Sequence, residues 1–304
     1  MNCIKKRCHR AVIWPCHRQP LEKALLPSLV ALALFTYYPV LQVAWDSLFV
    51  RLSPAAQPSF GGIQNFAAVF ADPAFRKAVV NNLVYAIGTV GPSLIIALGL
   101  ALALARSIRL NNALRAAYFL PVLIPLVASA SLFLFIFLPN VGLLDFYLAR
   151  FLAHTPNWLG DPDAALYSIM VLTVWKNAGY YMLFFLAGLQ AIPPEAYEIT
   201  HLDGASPWQR LRYVTLPYLR PTIAFVLVIA ILAVITQVDH IFILTKGGPS
   251  DSTNLLLFYV YQQAVERYDP GKAAAATVVI LALLLALTAV SLRRVERGAE
   301  DAEQ

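Results

Sequence analysis

Two groups of polar side chains lie within long apolar segments of the chain, and their types suit the recognition of a polar solute. The two groups are Lys176, Asn177 and Tyr180, and then Gln237, Asp239 and His240. Such side chains can hydrogen-bond the hydroxyl groups of a solute, and a lone charge inside a membrane costs roughly 2.5–3.5 kcal/mol. They therefore either line a solute pathway or hold helices together. The sequence leaves both roles open, and Lys176 fits the structural role slightly better.

Helical geometry places the two charged members of these groups at different depths. At 1.5 Å per residue, Lys176 lies about 16 Å and Asp239 about 7.5 Å from the outer ends of their segments. An ion pair between them would therefore need a tilted helix or an extended lysine side chain. Tyr180 follows Lys176 by four residues, so these two share a helical face.

All three cysteines lie in the first sixteen residues, at Cys3, Cys8 and Cys16, and histidines stand next to two of them. Cysteine and histidine together can bind a metal ion, but this spacing fits no common zinc pattern. We interpret residues 1–23 as a basic cytosolic tail without a metal site.

The composition predicts an integral membrane protein. Of 304 residues, 59% are hydrophobic and 13% are charged, whereas soluble domains carry roughly 25% charged residues. A membrane-spanning helix needs about 20 apolar residues. Six segments meet this length, at 25–50, 83–105, 116–138, 165–189, 222–244 and 273–292. We predict an all-α protein with six transmembrane helices in a domain over 24–292, followed by a cytosolic tail at 293–304.

The basic residues indicate how the chain is oriented in the membrane. Fifteen of the 23 Lys and Arg residues fall in the two terminal tails and in two of the five loops. Placing both termini in the cytoplasm puts these four segments on the side that the positive-inside rule requires. The net charge of +6 therefore reflects topology, and we expect lipid rather than nucleic acid around the chain.

The inside loop at 192–221, between the fourth and fifth segments, has the signals of two short helices. The first begins at 193–195, Pro-Pro-Glu, and ends at Gly204. The second begins at 206–209, Ser-Pro-Trp-Gln, which is a capping box, and we expect Pro217 to end it. Two short helices joined at a glycine on the basic side are suited to docking onto a partner.

This loop resembles the signature loop of the permeases of binding-protein-dependent ABC importers. Residues 198–204 read Glu-Ile-Thr-His-Leu-Asp-Gly, and after nine further residues 214–217 read Val-Thr-Leu-Pro. The family pattern is Glu-Ala-Ala, three residues, Gly, nine residues, an aliphatic residue, any residue, and Leu-Pro. Both spacings agree without a gap, but Ile199 and Thr200 stand where the family usually has alanines.

Four further segments resemble the carbohydrate-import branch of that family, whose members include maltose and glycerol-3-phosphate permeases. They are Phe-Leu-Ala-Gly-Leu-Gln at 185–190, Asp-Gly-Ala at 203–205, Leu-Thr-Lys-Gly-Gly-Pro at 244–249, and the pair Asn81 and Asn82. The resemblance covers about residues 65–292. It implies a type I ABC importer permease fold with its core at 78–292, in a bacterial cytoplasmic membrane.

The resemblance also implies partners and roles. The complete importer would contain two different permease chains, two ATPase subunits that bind the ATP, and an extracytoplasmic solute-binding protein. The inside loop at 192–221 would then be the coupling loop. Its short helices would bind to the ATPase subunit and transmit the closing movement of the ATPase to the membrane helices. The residues assigned to this loop are Glu198, Asp203, Gly204, Ala205, Trp208, Arg212, Leu216 and Pro217. The imported solute would be a sugar, a polyol or glycerol-3-phosphate.

Two other classes of function fit the sequence less well. A secondary transporter for a small polar solute would need ion-coupling acids or broken helices near the midplane, and the sequence offers only Asp239 as a candidate. An enzyme would need a cluster of catalytic or metal-binding groups, and the five histidines are scattered along the chain. A Walker A pattern, which would indicate an ATP site, does not occur in the sequence.

Overall fold

The computed structural model describes residues 21–51, 57–105, 111–148, 150–151 and 155–303. The cysteine-containing tail lies outside these residues, so its interpretation stays a prediction. The described helices are α1 (Leu21–Leu32), α2 (Tyr38–Asp46), α3 (Gln64–Ala71), α4 (Pro73–Ala105), α5 (Asn111–Leu123), α6 (Leu126–Ile136), α7 (Leu143–Leu148), α8 (Ala165–Gln190), α9 (Pro194–Leu202), α10 (Pro207–Arg210), α11 (Leu216–Thr236), α12 (Asp239–Leu244), α13 (Leu256–Tyr261) and α14 (Pro270–Glu303). Among the described residues, π-helical turns at Ala33–Tyr37 and Leu211–Thr215 join neighbouring helices, and a third at Gln262–Glu266 extends α13.

Within the described residues, five helical segments are long and apolar enough to cross a membrane. They are Leu25–Asp46, Pro73–Ala105, Ala165–Gln190, Pro207–Leu244 and Pro270–Ser291. A sixth span is obtained if α5 and α6 are counted together, although these two helices meet at an angle of 96°. The predicted helical membrane fold is therefore confirmed.

Two of the predicted spans are interrupted, which hydropathy did not indicate. The third bends between α5 and α6, because Pro125 has no N–H and disfavours a helical conformation of the residue before it. The fifth stops at Thr236, where Gln237 adopts an extended backbone with φ −90° and ψ 116°, and it resumes at Asp239. An acidic residue in the first turn favours the start of the new helix.

The outer side carries the remaining small elements. Strands β1 (Phe49–Val50) and β2 (Ser59–Phe60) pair antiparallel, so the fold is all-α apart from this short hairpin. A short helix, α3, follows the hairpin and ends at Ala71. It ends there because the Asp72 carboxylate accepts the N–H of Ala74 at 2.9 Å and starts α4.

Helices α4 and α8 form the centre of the packed core. Helix α5 packs closely against α8 at Gly179, where any side chain would collide with the carbonyl of Tyr118. Helices α11 and α8 are also close at Gly188, where a Cβ atom would lie 2.7 Å from Thr222 Oγ1. Helix α6 packs against α12, so the outer pieces of the two interrupted spans are neighbours.

Candidate functional site

In the inner loop, α9 and α10 form a helix–turn–helix unit with well-defined caps, which we call the elbow (194–210). Gly204 has a φ of +68°, which a glycine adopts without strain. The N–H of Gly204 bonds to His201 O and that of Ala205 to Thr200 O, at 3.2 and 3.0 Å, which is the Schellman pattern of a helix end. The predicted capping box is present between Ser206 and Gln209. The first short helix, its glycine stop and the start of the second are therefore as predicted.

The prediction that Pro217 ends the second short helix is wrong. Helix α10 continues through the π-helical turn Leu211–Thr215 into α11, and Pro217 lies in the first turn of α11. The N–H of Leu216 bonds to the carbonyl of Leu211, five residues earlier. In a regular α-helix the Pro217 ring would meet the carbonyl four residues before it. The wider turn lies where this clash would occur, so the backbone continues as one helical rod.

The elbow presents apolar side chains to its surroundings. Leu202 is 89% exposed and Trp208 is 66% exposed, and Ile199 and Tyr213 are also exposed. The opposite side of the loop is attached to the protein, because Tyr197 packs against the core and its hydroxyl lies 3.2 Å from Thr215 Oγ1. Contiguous exposed apolar side chains mark an interaction surface.

The other predicted members of the coupling loop lie on or beside this surface. Glu198, Asp203 and Arg212 are exposed, whereas Ala205, Leu216 and Pro217 are half-buried. The elbow is held together mainly by backbone hydrogen bonds and the capping box. The exposed side chains of Glu198, Asp203 and Arg212 are therefore accessible to a partner.

The surroundings of Lys176 indicate that its side chain stabilises the fold. Its side chain is buried, and Nζ donates to the backbone carbonyl of Pro121 at 3.0 Å and to that of Ile124. Asp239 is exposed, and the ion pairs found among the described residues all involve Asp72. The structure therefore does not bring Lys176 and Asp239 together, and it places the lysine at the bend between α5 and α6.

His240 is fully buried and has a partner that could not be read from the sequence. Its Nε2 lies 2.9 Å from the Tyr85 hydroxyl, which lies 2.6 Å from Thr173 Oγ1. The rings of Tyr85 and His240 stack with their centroids 5.9 Å apart. Tyr85 precedes His240 by 155 positions, and no local spacing links them. The only sequence signal was a tyrosine and a threonine within apolar spans.

The remaining members of the two polar groups are more accessible. Asn177, Tyr180 and Gln237 are half-buried. Gln237 lies at the interruption of the fifth span, and Tyr180 contacts Phe184 edge-to-face at 5.0 Å. Of the six predicted pathway residues, Lys176 and His240 are thus enclosed by protein, and the other four have accessible surface.

Comparison with known proteins identifies the family to which these features belong. Residues 95–300 match the family described as the inner membrane component of binding-protein-dependent transport systems. The chain belongs to this family. It is a transport permease of the inner membrane, and its family membership implies an ATPase and a solute-binding protein as partners.

Curated relatives match over almost the whole chain. The sulfoquinovosyl glycerol transport system permease protein of Agrobacterium fabrum is 32% identical over 88% of this chain and 88% of its own length. The sn-glycerol-3-phosphate transport system permease protein of Pectobacterium atrosepticum is 31% identical over 90% of this chain and 92% of its own. A chain from the crystal structure of a bacterial alginate ABC transporter, in complex with an alginate-pentasaccharide-bound periplasmic protein, has a TM-score of 0.78. That chain is 23% identical, and the match covers 89% of this chain and 92% of that one.

These comparisons confirm the predicted type I permease fold and its resemblance to carbohydrate-import permeases. They also change the reason for rejecting a secondary transporter. That class was disfavoured because broken helices were not expected, yet two spans are interrupted. The family match, rather than the continuity of the helices, decides against that alternative.

Proposed function

We propose that this chain is one of two different permease subunits of an ABC importer for a sugar, a polyol or a glycerol phosphate. The coupling loop at 192–221 docks onto one of two ATPase subunits, which bind the ATP. The observation that carries this proposal is the rigid elbow at Gly204 with its exposed apolar side chains. Family membership supplies the kinds of partner that such a surface would meet.

The elbow can transmit a movement of its partner to the membrane helices. Its caps satisfy the backbone groups at both helix ends, so the elbow can move as a rigid body. Its exposed apolar side chains lose contact with water when a partner covers them, and this burial favours docking. A movement of the partner is then passed to α11, which continues helically from α10, and to α8, which ends at Gln190 shortly before α9 begins.

Docking can be tested with Trp208→Ala in the reconstituted transporter. An aromatic anchor at the centre of an interface contributes about 2 kcal/mol or more, which is roughly a 30-fold change in affinity. We expect loss of ATPase co-purification and of solute uptake, with unchanged membrane insertion. The matched control is Trp45→Ala, since Trp45 is also exposed but lies near the outer end of the first span. Normal co-purification and uptake in Trp208→Ala would refute the docking assignment.

The names of relatives and the accessible polar side chains both support a sugar, a polyol or a glycerol phosphate as the solute. Two relatives that match over most of the chain are named as transport permeases for sulfoquinovosyl glycerol and for sn-glycerol-3-phosphate. The accessible polar groups Asn177, Tyr180, Gln237 and Asp239 can bond hydroxyl groups and line the solute pathway in this proposal. Uptake of a radiolabelled neutral sugar, a polyol and glycerol phosphate should be compared in wild type and Asp239→Asn. Uptake of none of the three by the complete wild-type transporter would exclude this solute class.

A further inference from the structure

One turn of α8 is bonded to the interruptions of both broken spans. Lys176 bonds to the bend between α5 and α6, and Thr173 bonds through the Tyr85 hydroxyl to His240 in the first turn of α12. Thr173 and Lys176 are three residues apart, which places them on one face of α8 about 4.5 Å apart along its axis. The two interruptions are therefore connected to the same level of the same helix.

Lys176 supplies a hydrogen-bond donor that the bend lacks. In a continuous helix the carbonyl of Pro121 would accept the N–H of residue 125, but Pro125 has no N–H. The Nζ of Lys176 lies 3.0 Å from that carbonyl and also bonds to the carbonyl of Ile124. The cation thus satisfies carbonyl groups at the C-terminal end of α5, where the helix dipole also favours positive charge.

The Tyr85 hydroxyl plays the corresponding part at the second interruption. It lies within hydrogen-bond distance of both Thr173 Oγ1 and His240 Nε2. Tyr85 and His240 are each only 1% exposed, so water does not compete for these bonds. The start of α12 is therefore fixed to α4 and α8, while the preceding Gln237 remains extended and half-buried.

Helix α8 extends from the same turn to the start of the coupling loop. Helix α8 runs without a break to Gln190, about 21 Å from Lys176 at 1.5 Å per residue. Helix α9 of the elbow begins at Pro194. A displacement of the elbow therefore passes through the short turn at 191–193 and then along the rigid α8 to Thr173 and Lys176, and from there to the two interruptions.

We propose that Thr173 and Lys176 are positioning residues that make the outer helices α6 and α12 follow α8 when the coupling loop moves. The inference rests on the proposed function, because it needs an ATPase that moves the loop. Helices α6 and α12 also pack on each other. The two hydrogen-bonded links, from Lys176 to the α5–α6 bend and from Thr173 through Tyr85 to His240, therefore move these two helices together. Without the links, ATP hydrolysis continues but no longer drives solute uptake.

The test is the ratio of solute uptake to ATP hydrolysis in the complete transporter, reconstituted in liposomes with its binding protein. Lys176→Met keeps the length of the side chain and removes its donor. We expect uptake to fall at least tenfold while ATP hydrolysis stays within twofold of wild type. Lys176→Arg, which retains the charge and the donors, should restore most of the uptake. A purely structural role would lower hydrolysis and uptake together.

The second link provides variants that almost preserve volume. Thr173→Val and Tyr85→Phe each remove a hydroxyl and should also lower the ratio of uptake to hydrolysis, by about threefold or more. These variants decide the question if Lys176→Met does not assemble. An unchanged ratio in Thr173→Val, Tyr85→Phe and any assembled Lys176→Met would overturn the proposal. Failure of the proposed function would be seen differently, as a wild-type chain that binds no ATPase subunit.

Discussion

The inner loop at 192–221 and the outer loop at 245–269 are built in opposite ways. The inner loop exposes apolar side chains such as Leu202 and Trp208. The outer loop buries polar ones, including Thr253 and Asn254, neither of which has any exposed surface. It is also tied to α4, since Lys77 Nζ donates to Ser250 O at 2.6 Å and Asn81 Nδ2 donates to the carbonyls of Asp251 and Asn254.

The difference shows that the outer loop is stabilised by contacts within this chain, whereas the inner loop leaves a surface for a partner. Lys246, Ser250 and Asp251 adopt positive φ angles although none is a glycine, at a cost of order 1–3 kcal/mol each. Such a conformation persists only where its surroundings fix it, and the bonds from α4 do so at Ser250 and Asp251. Within the described residues, no such bond joins the exposed face of the inner loop to another part of the chain, as expected of a surface that a partner completes. The following predictions test this contrast.

The largest effect is expected at the glycine of the elbow. Gly204→Val places a β-branched residue at a φ of +68°, which costs of order 1–3 kcal/mol in backbone strain. A Cβ atom there would meet no other atom within 4 Å, so the strain is purely conformational and the elbow must change shape. We expect solute uptake to fall at least tenfold with membrane insertion unchanged, measured in cells or liposomes.

A matched control exists on the outer side. Gly62 has a φ of +56°, and a Cβ atom added there would likewise meet no other atom within 4 Å. Gly62→Val should therefore cost similar strain but leave uptake within twofold of wild type. Equal loss of uptake in both variants would show that the elbow has no special role, whereas Gly204→Asn should retain activity because asparagine tolerates positive φ.

An intermediate effect is expected at the charged cluster of the outer side. Asp72 accepts hydrogen bonds from Lys272 Nζ at 2.6 Å and from the Tyr259 hydroxyl at 2.9 Å. Hydrogen bonds to a charged group contribute about 1.5–3 kcal/mol. Asp72→Asn should lower the free energy of unfolding by that amount, seen as a lower Tm in detergent. Asp163→Asn, at an exposed aspartate of another outer loop, should have no measurable effect.

The same cluster predicts the direction of a pH dependence. Burial raises the pKa of Asp72, but the hydrogen bonds from Lys272, Ala74 and Tyr259 outweigh it and hold this pKa below its ordinary value. The stabilisation is therefore complete above the ordinary aspartate pKa, about 3.9, and is lost as the pH falls through the lowered value. The difference in Tm between wild type and Asp72→Asn should be constant from about pH 5 to pH 8. A difference that grows as the pH falls would contradict this account.

The smallest effect is expected at a side-chain pair within the elbow. Arg210 Nη1 donates to His201 Nε2 at 2.8 Å, on the exposed surface. Surface substitutions of this kind change stability by about 0.5 kcal/mol or less. His201→Ala should therefore leave uptake within twofold of wild type. A tenfold loss would mean that this pair, rather than Gly204 and the backbone caps, fixes the shape of the elbow.

The elbow could be predicted from the sequence because its causes are local. The Gly204 stop and the Ser206–Gln209 capping box each depend on residues within one helical turn, and both are present in the structure. The approximate positions of the apolar spans were also predictable, since they follow from the length of apolar segments, and the described residues contain five such spans, or six if α5 and α6 are counted together. These features need no knowledge of which helices become neighbours.

The interruptions and their partners could not be predicted, because their causes are tertiary. Hydropathy does not distinguish a continuous span from one that stops at Thr236 and resumes at Asp239. The partners of Lys176 lie 52 and 55 positions away in the chain. A lysine within an apolar span indicates that some polar partner exists, but only the packing of α5 on α8 shows that the partner is a backbone carbonyl.

The π-helical turn at Leu211–Thr215 has a consequence for the length of the segment that joins the elbow to α11. Compared with a regular α-helix, such a turn accommodates one additional residue while the helices on either side keep their direction. Removing one residue there would close the turn to regular α-helical bonding, and the Pro217 ring would then clash with the carbonyl four residues before it, at a cost of about 3 kcal/mol. The length of this segment should therefore be constrained more tightly than its composition, so that a one-residue deletion abolishes solute uptake where a substitution at the same position does not.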